Sequence, residues 1–185
     1  MKTNHIAFLV GSIKEASKQF PESCKKHEVE EQPSEGTLEQ YITFGDDKWA
    51  SVLLMQAFKD GPYMRAMKKR GPGIHHIGCV CKSIEEEVFQ KNASNLFLHS
   101  ISLKTFESGT IWLCKPGLPF LIELFQDPKS TLLLQESAVL ILPEKILVPE
   151  YARCFIKNLE IESTRIDIFK IRINGIEVEF DPKKT

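Results

Sequence analysis

The chain has 185 residues, with 24 Lys and Arg against 25 Asp and Glu, for a formal net charge of −1. A hydrophobic fraction of 42% with 26% charged residues is typical of a folded globular protein and excludes an intrinsically disordered one. The charge is balanced and forms no dense Lys/Arg stripe, so we expect no nucleic-acid partner. No apolar stretch approaches the roughly 18–20 residues that span a bilayer, so we expect no membrane partner either.

The cysteines and the N-terminal residues bear on the compartment. Five cysteines are scattered along the chain at positions 24, 79, 81, 114 and 154, an odd number that favours reduced thiols over a disulfide framework. The segment Met1–His5 lacks the charged and then apolar plan of a secretory signal. We therefore expect a cytoplasmic protein.

An internal repeat organises the first two thirds of the chain. Residues 4–16 read NHIAFLVGSIKEA and residues 75–87 read HHIGCVCKSIEEE, which aligns His5 with His76 and Ser12 with Ser83. Each copy is an apolar run followed by Ser-Ile-x-Glu, the pattern of a helix capping box. Each copy therefore predicts a strand and then a helix that begins after the serine.

Strand patterns follow both copies, and a short helix separates them. The predicted strands are Leu38–Phe44, Trp49–Ala57, Leu96–Leu103, Thr110–Cys114 and Phe120–Phe125. Pro62 suits a first helical turn and Gly71 a stop, which predicts a helix over Pro62–Arg70. The sequence thus predicts a βαβββ module over residues 1–60, a linker helix over residues 61–72 and a second βαβββ module over residues 73–127.

Residues 128–185 form a C-terminal extension with a shorter pattern. We predict a strand over Ser137–Leu142, a helix over Pro149–Asn158, and strands over Arg165–Ile173 and Ile176–Phe180. Asn174-Gly175 between the last two strands is a strong hairpin signal. This βαββ order is interpreted as a partial third module or as a structural appendix.

Three polar residues on predicted strands are candidates for chemistry. His5 shares a strand face with Ala7, and His76 shares one with Gly78, so each histidine has a small neighbour that leaves room for a ligand. Glu123 lies in the apolar run PFLIELF, where a carboxylate is costly to bury unless it is paired, protonated or bound to a cation. The three are a plausible ligand set for a divalent transition metal. The structural alternative is hydrogen-bonded histidines and a plain buried carboxylate.

These motifs resemble the vicinal oxygen chelate superfamily. The residues concerned are NHIA and HHIG, the two capping boxes, GPYMRAMKKRGPGIHHI and the late LIEL, and the resemblance covers about residues 1–127. Within the superfamily, the sequence is most similar to methylmalonyl-CoA epimerase-like and glyoxalase-like proteins. The resemblance implies an α+β fold in which two βαβββ modules form a curved mixed sheet around a cleft, in a protein that is commonly a homodimer.

The resemblance also implies a function for the cleft. It implies a divalent metal (Zn, Co, Ni, Mn or Fe) held by His5, His76 and Glu123, which chelates two neighbouring oxygens of a small-molecule substrate. In the isomerase-type members, the metal stabilises an enolate while a nearby base moves a proton.

Two positions depart from the family pattern. Leu53 occupies the position in SVLLMQA where the family has a first-module ligand, and leucine cannot bind a cation. The family's catalytic Glu, two residues before a Gly, corresponds to Ser34, with Glu35 one residue closer to Gly36. The candidate catalytic residues are therefore Glu35 and Glu123.

The sequence supports three hypotheses. The first is a metal-dependent isomerase or lyase that acts on a small molecule with vicinal oxygens through an enolate-type intermediate. The alternative is a non-catalytic small-molecule-binding protein of the same fold with a degenerate metal site. The third is an interaction role for residues 128–185, which would cover the cleft or pair with another subunit.

Overall fold

The structure is a computed structural model that describes residues 1–91, 96–134, 136–146 and 156–185. Its strands are β1 Lys2–Leu9, β2 Lys25–Lys26, β3 Glu30–Gln32, β4 Thr37–Thr43, β5 Ser51–Ala57, β6 Gly73–Cys81, β7 Phe97–Leu98, β8 Thr110–Cys114, β9 Leu121–Gln126, β10 Ala138–Pro143, β11 Leu159–Thr164, β12 Phe169–Ile173 and β13 Ile176–Phe180. Its α-helices are α1 Ile13–Ser17, α2 Pro62–Arg70, α3 Ile84–Lys91, α4 Ser102–Thr105 and α5 Pro128–Leu133.

Local capping signals set the starts of the first three helices. The Ser12 hydroxyl accepts a hydrogen bond from the Glu15 amide, and the Ser83 hydroxyl accepts one from the Glu86 amide, each at 3.3 Å. The linker helix α2 begins at Pro62 and ends at Arg70, as predicted, and Gly71 follows it with φ +73. The repeated cap is therefore real in both copies.

The two modules share one strand order and form a continuous mixed sheet. The order is β2-β4-β5-β1-β6-β9-β8-β7, with β3 paired to β4. In each half the first strand pairs in parallel with the last, β1 with β5 and β6 with β9, and the halves meet where β1 and β6 run antiparallel. The predicted α+β fold with paired βαβββ units is confirmed.

One predicted strand is wrong. The segment Leu96–Leu103 contains only the two-residue strand β7, and helix α4 begins at Ser102. The Ser102 hydroxyl accepts from the Trp112 amide at 2.8 Å and donates to the Trp112 carbonyl at 2.9 Å, so a side chain replaces the backbone partner that a longer strand would supply. A hydrogen bond between residues ten apart in sequence thus ends this edge strand early.

The extension forms a separate sheet of four strands in the order β11-β10-β12-β13. Strand β11 was not predicted, and β12 begins at Phe169, four residues later than the pattern indicated. The hairpin turn is as predicted, with Asn174 and Gly175 both at positive φ. The helix predicted over Pro149–Asn158 falls mainly on residues 147–155, which lie outside the described residues.

The extension packs on the face of β1 opposite to His5. Phe8 contacts Phe169 and Phe180 with ring centroids 5.2 and 4.8 Å apart, and Phe20 contacts Phe180 at 5.4 Å. Phe8 alternates with His5 and Ala7 along the strand, so the described part of the extension lies behind the sheet. The expectation that the extension covers the cleft is not met by these residues, because its apolar faces complete the core behind β1.

None of the helices in the described part of the chain has the length and hydrophobicity that crossing a bilayer requires.

Candidate metal centre

The structure brings His5, His76 and Glu123 together, although they belong to strands β1, β6 and β9. The Nε2 atoms of His5 and His76 lie 3.0 Å apart, and Glu123 Oε2 lies 3.6 Å from the first and 3.5 Å from the second. Both histidines are buried, and the Glu123 side chain is 21% exposed. The three ligand atoms therefore converge at the middle of the continuous sheet.

Strand register and a glycine account for this convergence. His5 lies beside Gly78 in the β1–β6 pair, and Gly78 lies beside Glu123 in the β6–β9 pair. A Cβ atom at Gly78 would fall 2.1 Å from His5 Cε1 and 2.3 Å from His5 Nε2. Only glycine leaves space for the His5 imidazole between β1 and the carboxylate of Glu123.

Hydrogen bonds at the other ring nitrogens orient both imidazoles. His5 Nδ1 lies 3.0 Å from Asn4 Oδ1, and His76 Nδ1 lies 2.9 Å from His75 Nδ1. When each Nδ1–H donates to its partner, each Nε2 keeps its lone pair. Two such lone pairs that face each other at 3.0 Å favour a cation shared between them.

Burial keeps the histidines neutral and the carboxyl group close to its titration point. Desolvation lowers the pKa of His5 to about 4 and the pKa of His76 well below its ordinary value, with further lowering of His76 by His5 and His75. Desolvation raises the pKa of Glu123 to about 7, and the negative charges of Glu35 and Glu39 add to this shift. Neutral imidazoles and a carboxyl group that ionises near neutral pH are ready to bind a metal cation.

The three atoms also fit the size of a metal ion. They all lie within 4.8 Å of one another, and the point equidistant from them is about 2 Å from each, the usual length of a metal–nitrogen or metal–oxygen bond. Two imidazole nitrogens and one carboxylate oxygen are ligands that Zn, Fe, Mn, Co and Ni accept. The residues present therefore fit a divalent transition metal.

Leu53 occupies the position in the first module that Glu123 occupies in the second. Leu53 lies beside Ala7 in the β1–β5 pair, as Glu123 lies beside Gly78 in the β6–β9 pair. It is 3% exposed and packs with Tyr63 of α2 and with Leu9 and Met55. The sequence alignment of these positions is confirmed by the register, and the would-be fourth ligand is part of an apolar contact with the linker helix.

The other predicted acid, Glu35, is not one of the three converging residues. Glu35 and Ser34 lie in an exposed turn before β4, where the Glu35 amide donates to the Gln32 carbonyl at 3.1 Å. Its carboxylate is close enough to raise the pKa of Tyr63, after burial, and that of Glu123. Glu35 thus lies outside the cluster of three residues but within electrostatic range of Glu123.

Sequence reasoning missed several residues around the centre. Glu39 is half-buried on β4, accepts a hydrogen bond from the Thr37 hydroxyl at 2.9 Å, and has its pKa raised mainly by burial. Tyr41 packs edge-on against His5, with ring centroids 5.8 Å apart. Alternation places Glu39 and Tyr41 on one face of β4, and this was the only signal for them in the sequence.

Aromatic rings enclose the histidines on the second-module side. Trp112 packs edge-on against His76 at 5.1 Å, and Phe125 stacks near His5 at 6.4 Å. Trp112 is paired with Glu123 in the β8–β9 register. The centre is therefore a polar cluster within an aromatic and apolar cleft, which strengthens its electrostatic interactions.

Comparison with known proteins identifies the fold. No protein-family model and no curated protein sequence matches the chain. Hypothetical protein BH1468 from Bacillus halodurans C-125 is similar in structure, with a TM-score of 0.54 and 24% identity over 68% of this chain and 94% of that one. A methylmalonyl-CoA epimerase has a TM-score of 0.55 and 22% identity over 69% of this chain and 96% of its own.

Methylmalonyl-CoA epimerase from Mycobacterium tuberculosis is also similar, with a TM-score of 0.51 and 16% identity over 71% of this chain and 91% of its own. At these identities the similarity establishes a shared fold. The chain therefore shares its fold with methylmalonyl-CoA epimerases, the proteins that its motifs resemble.

Proposed function

We propose that this chain, which has the fold of the vicinal oxygen chelate superfamily, is a metal-dependent isomerase or lyase that acts on a small molecule with adjacent oxygens. The observation that carries the proposal is the convergence of His5, His76 and Glu123, whose ligand atoms lie within 4.8 Å of one another. Three strand-borne ligands from two modules meet at one point. The 3.0 Å between the two Nε2 atoms is also the distance of a hydrogen bond, the structural alternative, and metal uptake separates the two roles.

His5 Nε2, His76 Nε2 and a Glu123 oxygen would hold the metal. Three protein ligands leave positions at which substrate oxygens can bind, and a bound divalent metal would stabilise negative charge that develops on those oxygens. Asn4 and His75 fix the ring orientation of the two histidines. Trp112 and Phe125 exclude water from the second-module side.

A carboxylate outside the cluster of three residues supplies the base. Glu35 is exposed in its turn, where its carboxylate can take a proton from a substrate carbon next to a carbonyl group. Glu39 is the second candidate, because it is half-buried and its raised pKa makes it a stronger base once ionised. Protonation of the same carbon on its opposite face by a second carboxyl group, with Glu35 and Glu39 as the pair, would complete an isomerisation. In a lyase reaction the proton would stay on the base, and the electron pair of the broken C–H bond would expel a leaving group from the adjacent carbon.

A non-catalytic binding protein is the second candidate function. Leu53 and Ser34 support it, because the first lacks a ligand atom and the second lacks a carboxylate at the positions where the family carries them. Leu53 also belongs to the same buried apolar cluster as Tyr63, so that its apolar side chain contributes to the packing of the first module. This candidate predicts tight ligand binding without turnover.

Metal analysis of protein purified without chelators tests the proposal. We expect about one equivalent of Zn, Co, Ni, Mn or Fe, or stoichiometric uptake after addition, and loss of uptake in the His76→Ala variant. His27→Ala is the matched control, since His27 hydrogen bonds to Thr43 away from the centre. A wild-type protein that contains none of the five metals and binds none of them on addition would contradict the proposal.

Proton exchange separates the two candidates. The metal-loaded protein is incubated in D2O with a panel of thioesters and 2-oxo acids, and deuterium at the carbon next to the carbonyl is followed by NMR. Exchange that requires metal and falls in Glu35→Gln supports the isomerase or lyase. Tight binding without exchange would favour the binding protein.

We also propose a homodimer in the cytoplasm. Phe97 and Leu98 lie on the terminal strand β7 of the large sheet and are 56% and 55% exposed, which suits pairing with a second copy. Cys24, Cys79, Cys81 and Cys114 are free thiols, as in a reducing compartment. Solution mass by light scattering tests the dimer, and a monomer at micromolar concentration would contradict it.

A further inference from the structure

A cavity of about 250 Å³ lies between the linker helix α2 and the second module. Tyr63, Arg65 and Arg70 line it from the helix side. His75, His99 and Trp112 line it from the module side. Trp112 packs against His76, and His75 forms a hydrogen bond with His76. The cavity therefore adjoins the candidate metal centre.

The charged residues of this cavity are all cationic. Arg65 and Arg70 contribute two guanidinium groups, and no Asp or Glu is among the described residues that line it. Neither arginine forms an ion pair with any described carboxylate, and the only side-chain hydrogen bond of Arg70 to a described residue is a long one of 3.4 Å to the Pro119 carbonyl. Most of the ten N–H donors of the two groups are thus free for a ligand.

A neighbouring cavity on the other side of Arg70 and His75 provides a contrast. It has a volume of about 330 Å³ and is lined by Lys145 and Lys183, but also by Asp167 and Asp181. Lys145 forms an ion pair with Asp167, and Lys183 lies 3.5 Å from the same carboxylate. Lys145 and Lys183 in that cavity are thus neutralised by the protein itself. Arg70 lines both cavities but forms no ion pair with either aspartate, and Arg65 lines only the cavity beside Trp112.

We propose that the cavity between α2 and the second module binds an anionic group of the substrate, a carboxylate or a phosphate, through Arg65 and Arg70. This inference rests on the proposed function and limits the chemical class of the substrate to small anionic compounds. Guanidinium groups bind such planar or tetrahedral anions through paired N–H donors. The anionic end would lie against α2 while the reacting oxygens extend past Trp112 toward His76.

Binding of simple anions to the full-length, EDTA-treated protein tests the proposal. Butyrate and inorganic phosphate are the probes, and butyramide is the neutral control of the same shape as butyrate. The indole N–H signal of Trp112 reports binding by NMR, and a Trp49→Phe variant assigns it, because the chain has only two tryptophans. Calorimetry gives the affinity.

We expect saturable binding of at least one anion, no binding of butyramide, and about tenfold weaker binding in Arg65→Gln and in Arg70→Gln. Lys69→Gln is the matched control, because Lys69 is exposed on the same helix as Arg65 and Arg70 and carries the same charge, but does not line the cavity. Stronger binding of butyrate identifies a carboxylate, and stronger binding of phosphate identifies a phosphate.

Absence of saturable binding, or an equal loss in Lys69→Gln, would overturn the inference. The experiment is independent of the metal, because the protein is metal-free. Failure to bind anions with normal metal uptake would refute only the anion site, and failure to bind metal with normal anion binding would refute only the metal centre.

Discussion

The two modules have the same strand order, but equivalent strand positions carry an apolar residue in the first and a polar residue in the second. In the second module, the strand next to the central pair carries Glu123, which faces the histidines and is 21% exposed. In the first module, the same position carries Leu53, which is 3% exposed and belongs to the same buried cluster as Tyr63. One half of the sheet thus lines an open site, while the other half supports the linker helix.

The difference shows that the two copies of a duplicated fold can have different structural roles. The first module supplies His5 to the three converging residues, because its central strand lies next to that of the second module. Its remaining concave face binds α2, which in turn forms a wall of the cavity beside Trp112. The apolar residue at position 53 therefore belongs to the same buried cluster as the helix that bounds the cavity.

Replacing the one acidic ligand should have the largest effect. We expect Glu123→Gln to weaken divalent-metal binding by about 10³-fold, because an amide lacks the negative charge that offsets the cation. The same change should stabilise the metal-free protein at pH 8. The folded-state pKa of about 7 lies above the unfolded value, so that burial of the anion is a cost fully present above pH 7 and absent below about pH 4.5.

Chemical denaturation at several pH values, with and without metal, measures both effects. The stabilisation of metal-free Glu123→Gln should be on the order of 2–3 kcal/mol at pH 8 and vanish near pH 4.5. A variant that is less stable than wild type at pH 8 in the absence of metal would show that Glu123 is held by a favourable interaction instead.

Filling the space at Gly78 should have the next largest effect. Gly78→Ala places a methyl group 2.1 Å from the His5 ring, which must then turn away from His76 and Glu123. We expect about 100-fold weaker metal binding and a loss of about 1–3 kcal/mol in unfolding free energy. Gly73→Ala on the same strand is the control, because its Cβ meets no atom within 4 Å. Equal behaviour of the two variants would mean that His5 is not a ligand.

Features of the fold and the site that depend on residues close in sequence could be predicted from the sequence. The repeat located His5 and His76, and the caps after Ser12 and Ser83 located the helices, since these signals lie within a few neighbouring residues. The hairpin at Asn174-Gly175 was readable for the same reason. Strand alternation showed Glu123 between two apolar residues, but its place on the same side of the sheet as both histidines depends on the pairing of β6 with β9.

Features that depend on distant contacts were not readable. The strand expected over Leu96–Leu103 ends early because the Ser102 side chain hydrogen bonds to Trp112. Leu53 could be recognised as a missing ligand, but its contact with Tyr63 requires the position of α2. Arg65 and Arg70 likewise line a cavity together with Trp112 only because the linker helix lies against the second module.

Removing an orienting hydrogen bond should have a smaller effect than removing a ligand. Asn4→Ala leaves His5 Nδ1 without the acceptor 3.0 Å away, so that the ring loses its preferred tautomer. We expect about tenfold weaker metal binding, measured by competition with a chromophoric chelator. Asn4→Asp keeps an acceptor at that position and should restore the affinity. Equal losses in the two variants would show that Asn4 affects only the packing of β1.

Giving the first module the ligand of the second should have the smallest effect, and in the opposite direction. Leu53→Glu places a carboxylate beside Ala7 as Glu123 lies beside Gly78, and we expect metal affinity to rise several-fold. The gain is limited because Leu53 is buried in the same cluster as Tyr63, so that the metal-free variant should lose about 2–4 kcal/mol of unfolding free energy. Met55→Glu, two residues along the same strand face, should lose stability without gaining affinity. A wild-type affinity in Leu53→Glu would mean that the two halves are not equivalent around the metal.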